Sequence, residues 1–218
     1  MRTASKKAAF TLIELLVVIS IILIATSILF VGGSGGGDGV KLSSAQRIVS
    51  SMAQGVRQQA LLKNQRARLI IYSETNTEEP DKMLRYFGVI SEDPNTPNQW
   101  IAATQGTSLP EGIYFDPALS ASKDWTRSTM NLEYPRQSPQ PESGPQYYYY
   151  EFNSNGTMAN NFENSWLVLR AGTLKPDGSG SLTVNFDEED KENILSALIF
   201  RRVGSTTLVS DPTEILTE

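Results

Sequence analysis

Three patterns of apolar and polar positions follow one another along the chain. From Phe10 to Val31 the residues read FTLIELLVVISIILIATSILFV, a run of 22 with one charge, Glu14. At ~1.5 Å rise per residue such a helix spans about 33 Å, enough for a hydrocarbon core of ~30 Å. From Leu42 to Leu62 the apolar positions Leu42, Ala45, Val49, Met52, Val56 and Ala60 recur every three or four residues. This predicts an amphipathic helix with one face on a sheet, capped by Ser43 or Ser44 and closed by Lys63, Arg66 and Arg68 near its C-terminal dipole. Beyond Arg66 short β-rich runs alternate with Gly, Pro and Asn. They predict strands at 68–73, 84–90, 99–103, 113–115, 146–152, 166–170, 182–186, 197–203 and 206–209. Asn155-Gly156 and Asp177-Gly178 are hairpin-turn dipeptides, and Gly204-Ser205 predicts a third turn. Tyr134–Pro145 carries four prolines and reads as an exposed loop. The fold class expected is α+β: an N-terminal transmembrane helix, then an amphipathic helix packed on antiparallel β-sheet.

Between the two helical patterns, residues 32–39 hold six glycines in eight positions. At about 1 kcal/mol each relative to Ala, this stretch predicts a flexible linker. The organisation expected is a leader at 1–9, a spanning helix at 10–31, a glycine linker at 32–39 and an α+β head at 40–218.

Charge orients the span. Arg2, Lys6 and Lys7 precede it without an accompanying acid, which places Met1 in the cytoplasm and the head outside. The run is longer than the ~7–15 residues of a secretory signal core. A plain signal anchor leaves Glu14 unexplained, because a carboxylate in a span carries an insertion cost of roughly 2.5–3.5 kcal/mol at the centre.

The stretch Lys6-Lys7-Ala8-Ala9-Phe10-Thr11-Leu12-Ile13-Glu14-Leu15-Leu16-Val17-Val18-Ile19 resembles the prepilin signal of type IV pilins and type II secretion pseudopilins. The resemblance implies cleavage by a membrane prepilin peptidase between Ala9 and Phe10 and N-methylation of Phe10. It also implies that Glu14 meets the Phe10 ammonium of a neighbouring subunit during assembly. Ala9 stands where the family usually has Gly and is similarly small. An ammonium and a carboxylate one helical turn apart attract strongly where the dielectric is low, and a pair within one chain satisfies the same chemistry. In the head, the helix that turns into a strand through 58–71 resembles the GspH/FimT-like minor pseudopilin branch. So do Leu109-Pro110-Glu111-Gly112-Ile113 and Phe152-Asn153-Ser154-Asn155-Gly156. The resemblance implies a non-enzymatic structural subunit of a type II secretion pseudopilus or type IV pilus. The expected partners are other pilins through the N-terminal helix, and the assembly platform. The location implied is the inner membrane, with the head in the periplasm. The competing expectation is a membrane-tethered periplasmic binding domain that never enters a fibre.

Composition narrows the chemistry. The chain has no cysteine and no histidine, so disulfides, thiolate metal sites and histidine-dependent serine or zinc hydrolysis are excluded. Its formal net charge is −5, and the basic leader makes the remainder more acidic still, a poor match to nucleic acid. No phosphate-binding glycine loop is present, and no cofactor is expected. The run Asp187-Glu188-Glu189-Asp190-Lys191-Glu192 offers calcium-type oxygens without EF-hand spacing and reads as a solvated loop. Strand alternation puts Tyr147 and Tyr149 on one face and Tyr148 and Tyr150 on the other, so the four tyrosines predict a half-buried strand and not a stacking platform.

Overall fold

A computed structural model of the chain describes residues 12–75, 79–139, 143–178 and 181–217. Two compact units divide between Gly37 and Asp38. The described part of the first unit is helical backbone from Leu12 onward, the beginning of α1 (Leu12–Lys63). Leu16, Val18 and Ile19 there are exposed. Glycines 32–39 are helical too, where the sequence predicts a linker. Glycine weakens a helix, yet extending an existing helix avoids the nucleation step that makes short helices costly. The expected cap at Ser43 or Ser44 is overturned for the same reason: no helix starts there, and Ser43 Oγ instead donates to the Gly39 carbonyl.

In the second unit α1 ends as its chemistry predicts. Lys63 lies in the last turn, Asn64 takes the left-handed conformation at φ 51°, and Gln65 N–H reaches back to the Ala60 carbonyl. The chain then turns directly into β1 (Ala67–Tyr72). The buried stripe of α1 is Leu42, Ala45, Gln46, Val49, Ala53, Val56 and Ala60. Ala53 replaces the predicted Met52, which sits at the edge of the stripe and only packs against the core.

Two antiparallel sheets share this core with α1. The first contains β1, β2 (Tyr86–Glu92), β3 (Trp100–Ala102), β4 (Thr107–Ser108), β6 (Thr129–Asn131) and β7 (Gln146–Phe152), in the order β3-β2-β1-β7-β6 with β4 also on β2. The second contains β5 (Ile113–Phe115), β8 (Trp166–Ala171), β11 (Leu195–Phe200) and β12 (Thr206–Val209), in the order β12-β11-β8-β5. A separate hairpin pairs β9 (Thr173–Pro176) with β10 (Leu182–Asn185).

Alternation along the strands decides what faces inward. Leu69 and Ile71 of β1, Phe87 and Val89 of β2, Tyr150 and Phe152 of β7, and Leu167 and Leu169 of β8 meet the α1 stripe. On the far side of the first sheet, Ile70, Tyr72, Ile90, Trp100 and Tyr147 form a second cluster, covered by Met130, Leu132 and Tyr134. Both faces of that sheet are therefore dry, and the tyrosine run is partitioned between them as alternation predicts. Tyr134 corrects the loop expectation at its first residue. It is buried, and its hydroxyl donates to the Thr104 carbonyl at 2.8 Å. A Cβ on Gly88 would overlap that hydroxyl, so glycine on β2 makes the space that lets the segment dock.

Of the nine predicted strands, all have a counterpart, with shifts of up to three residues at their ends. The sequence missed β4, β6 and β9, which are two to four residues long and carry no usable period. It also missed α2 (Pro117–Ser122) and α3 (Pro212–Leu216), although Asp116 and Asp211 cap them and a proline opens each. Asn155-Gly156 does not close a regular hairpin: it turns the chain between Phe152 and Met158, which form an isolated bridge.

Candidate assembly surfaces

The residues singled out for processing, Ala9 and Phe10, lie outside the described residues. Glu14 falls in the first turn of α1, and its side chain lies outside them as well. Among the described residues no helix is long and apolar enough to cross a membrane; most side chains of the apolar run 10–31 are not among them.

Within the head, Gln46 fixes α1 to the second sheet. Its Nε2 donates to the Ala197 carbonyl of β11 and the Val209 carbonyl of β12, both at 3.0 Å. Its Oε1 accepts from Ser210 Oγ. The side chain is 6% exposed, so these bonds satisfy an amide that burial would otherwise penalise. The sequence reading passed over it because an amide looks like a break in an apolar stripe. The usable signal was its position four residues after Leu42, on the buried face.

The outward side of α1 borders a groove of about 450 Å³ lined by Arg47, Ile48, Met52, Gly55, Val89 and Ala103. Ile48 is 38% exposed. This is a mixed face, with an arginine beside aliphatic carbon, of the kind that packs against another protein surface.

At the end of the head where α1 finishes, an ion-pair ladder crosses three strands. Arg66 donates from Nε and Nη2 to the Glu92 carboxylate at 2.9 and 2.5 Å. Arg68 pairs with Glu151 at 2.7 Å, its cross-strand neighbour on β7. The Arg68 guanidinium also lies 4.0 Å from the Trp100 ring centre and 3.9 Å from that of Tyr149. The bond from Arg66 holds the Glu92 carboxyl below the usual range, against the opposing effect of burial. These charges satisfy one another, so the ladder locks strands in register and presents no idle acid or base.

The second sheet carries a cleft of about 500 Å³ beside Arg170, Asp116, Tyr148 and Asp187. Arg170 lies between Asp116 at 3.7 Å and Asp187 at 3.8 Å, so its charge is already opposed from both sides. Asp116 is committed as the cap of α2 through the Ala118 and Leu119 N–H groups.

The acidic run is tied to the protein's own lysines. Glu188 pairs with Lys175 at 2.9 Å and Lys191 at 2.7 Å and accepts from Thr173. Lys191, then Lys175, draw its carboxyl down to about 2. Among the described residues no group of three or more acids is placed to hold a metal ion.

Comparison with known proteins places the N-terminal segment. Residues 4–30 match the prokaryotic N-terminal methylation motif. No curated protein matches the chain. Two solved structures of the minor pseudopilin EpsH from the type II secretion system of Vibrio cholerae are similar to it. One is 12% identical with a TM-score of 0.40, covering 78% of this chain and 96% of that one. The other is 14% identical with a TM-score of 0.39, covering 78% and 94%. Likeness at that level does not carry function. The matched segment, residues 4–30, contains Ala9, Phe10 and Glu14.

Proposed function

We propose that this chain is a minor pseudopilin or pilin: a structural, non-enzymatic subunit of a type II secretion pseudopilus or type IV pilus. The match of residues 4–30 to the methylation motif carries the reading. A helix that leaves this segment and packs its far end on antiparallel sheet supports it, as do the exposed Leu16, Val18 and Ile19. Their apolar surface suits lipid or neighbouring helices.

In this reading the precursor spans the inner membrane once, with Arg2, Lys6 and Lys7 in the cytoplasm and the head in the periplasm. A prepilin peptidase cuts between Ala9 and Phe10 and methylates the new amine. Residues 10–31 then serve first as the anchor and later as the packing helix of the fibre, drawn from the membrane by the assembly platform. Glu14, one helical turn from the Phe10 amine, supplies the counter-charge for a neighbouring subunit. The glycines at 32–39 are the mechanically weakest stretch of α1 and let the head adjust.

Mass spectrometry of the protein from its native membrane tests this directly. The expected mature N-terminus is N-methylated Phe10. An assembled form that retains Met1 would overturn the proposal in favour of a tethered receptor.

A further inference from the structure

The strand β10 has one edge paired with β9 and one edge open. Asp177 N–H donates to the Ser181 carbonyl at the turn of this hairpin. Alternation in an antiparallel ladder then makes Thr183 with Lys175, and Asn185 with Thr173, the hydrogen-bonded pairs. Leu182 and Val184 therefore turn their N–H and C=O groups away from β9. Leu182 N–H is taken by the Thr75 carbonyl at 3.0 Å. Among the described residues no hydrogen bond uses the Leu182 C=O or the N–H and C=O of Val184.

That open edge borders the cleft of about 500 Å³ beside Arg170, which Thr75, Leu182 and Val184 all line. Leu84, Leu119 and Phe186 give the cleft apolar walls. Arg170 stands in it, 9% exposed. Its Nε is buried and has no hydrogen-bond partner among the described residues. The Asp116 and Asp187 oxygens, at 3.7 and 3.8 Å, are beyond hydrogen-bond length. The two acids thus oppose the charge of Arg170 and leave its donors unspent, a costly state for a buried group. One cation between two carboxylates makes the cleft negative on balance. A third anion is repelled there, and an uncharged oxygen is the acceptor that fits.

We propose that this cleft is a peptide-binding site, in which an extended segment of another polypeptide adds to the open edge of β10 as a third strand. The outward groups of Leu182 and Val184 repeat every two residues, about 6.8 Å, and an extended backbone is the ligand that offers acceptors and donors at that repeat. Alternate apolar side chains of the segment enter between Leu119 and Phe186. One of its backbone carbonyls accepts from Arg170. Asp116 and Asp187 select against segments with an acidic residue at this point. The site lies wholly within the head and does not depend on the chain entering a fibre.

The test uses the full chain immobilised in detergent micelles, with empty micelles as background. The probe is an equimolar library of capped octapeptides, with Val, Leu, Phe or Tyr at alternate positions and Ser, Thr, Lys or Asp between them. Mass spectrometry reads the retained members, which should be depleted of Asp. Binding of the best member should slow hydrogen exchange of the Val184 amide roughly tenfold. That readout is made on the unaltered chain, so it does not hang on any variant folding. Ala118→Trp, at an exposed position on the cleft wall, fills the space and should abolish retention. Arg170→Lys keeps the charge between the two acids, loses the planar fork of donors and should weaken binding about tenfold. Thermal midpoints check that both variants are folded. No retention above empty micelles, retention unchanged in Ala118→Trp, or a Val184 amide left unprotected overturns the proposal. Enrichment of Asp overturns it too, since Arg170 would then be an anion site. So does altered sedimentation of peptide-free Ala118→Trp, which would put a second copy of the chain in the cleft.

Discussion

At the scale of single residues, the polar groups that matter most are the ones buried by tertiary contact. Gln46 bonds two strand carbonyls from the middle of a helix. Gln46→Ala leaves both carbonyls and Ser210 without that partner in a dry site. The expected loss is about 1–3 kcal/mol, the usual cost of an unsatisfied buried group, read as a lower thermal midpoint of the purified protein. Gly88→Ala should be at least as damaging, because the new methyl displaces Tyr134. The segment from Tyr134 to Arg136 would then lose its dock, and limited trypsin digestion after Arg136 should accelerate in that variant. Unchanged cleavage at Arg136 would mean that Tyr134 is held by something other than the space at Gly88.

Glu92 gives a pH signature at the same scale. Its carboxyl is depressed in the folded protein by the bond from Arg66, while in the unfolded chain it titrates near the ordinary value of about 4.3. Stability from this pair is therefore present above that value and is lost as pH falls through the folded value. The thermal midpoint of the natural protein should drop on acidification below about pH 4.3 more steeply than that of Glu92→Gln, which has no charge to lose. Parallel curves would show that the ladder contributes no pH-dependent stability.

At the scale of elements, α1 is the part that the local pattern described least well. Its buried stripe was legible, since spacings of three and four are a property of the helix itself. Its continuity through residues 32–39 was not. A glycine run has a high intrinsic cost, and a sequence window contains nothing about a helix already formed on the N-terminal side. Gly37 and Gly39 have open space where a Cβ would stand. Replacing both by Ala should therefore stabilise this stretch by roughly 1 kcal/mol per site. Amide hydrogen exchange around Asp38–Lys41 should slow accordingly. Faster or equal exchange would indicate that the stretch is not helical in solution, as a linker reading requires. If the glycines serve adjustment of the head, the same double variant should be processed normally and enter fibres less readily. The short strands were invisible for a different reason. β4 and β6 exist only because β2 and β7 offer free edges to pair with, and two or three residues carry no period of their own.

For the whole molecule, the tyrosines set an alkaline limit. Burial pushes Tyr134 up to about 12, and it raises Tyr147 and Tyr150 further. In the unfolded chain these phenols ionise near pH 10, by about which point the folded state still holds their protons. The folded state then binds more protons than the unfolded one, so stability falls as pH rises past that value. Tyrosinate absorbance should appear in two stages. The half-buried Tyr86 and Tyr148 titrate first, and the buried Tyr134, Tyr147 and Tyr150 appear together with loss of the circular dichroism signal. Ionisation of all tyrosines before any loss of structure would contradict their burial.

Some of this protein was fixed by sequence alone. The basic leader, the 22-residue apolar run and the single Glu14 have meaning without any fold, because in the function proposed above a membrane and a peptidase act on a contiguous segment. The amphipathic stripe and the nine principal strands were equally local, since period follows from backbone geometry. The partition of Tyr147–Tyr150 between two cores followed from alternation in the same way. Tertiary structure decided the rest. It selected Ala53 over Met52 for the stripe and gave Gln46 its partners. It buried Tyr134 over Gly88 and carried α1 through the glycines. Each of these depends on residues far apart in the chain meeting in space, and no window of sequence records which distant surface a side chain will face.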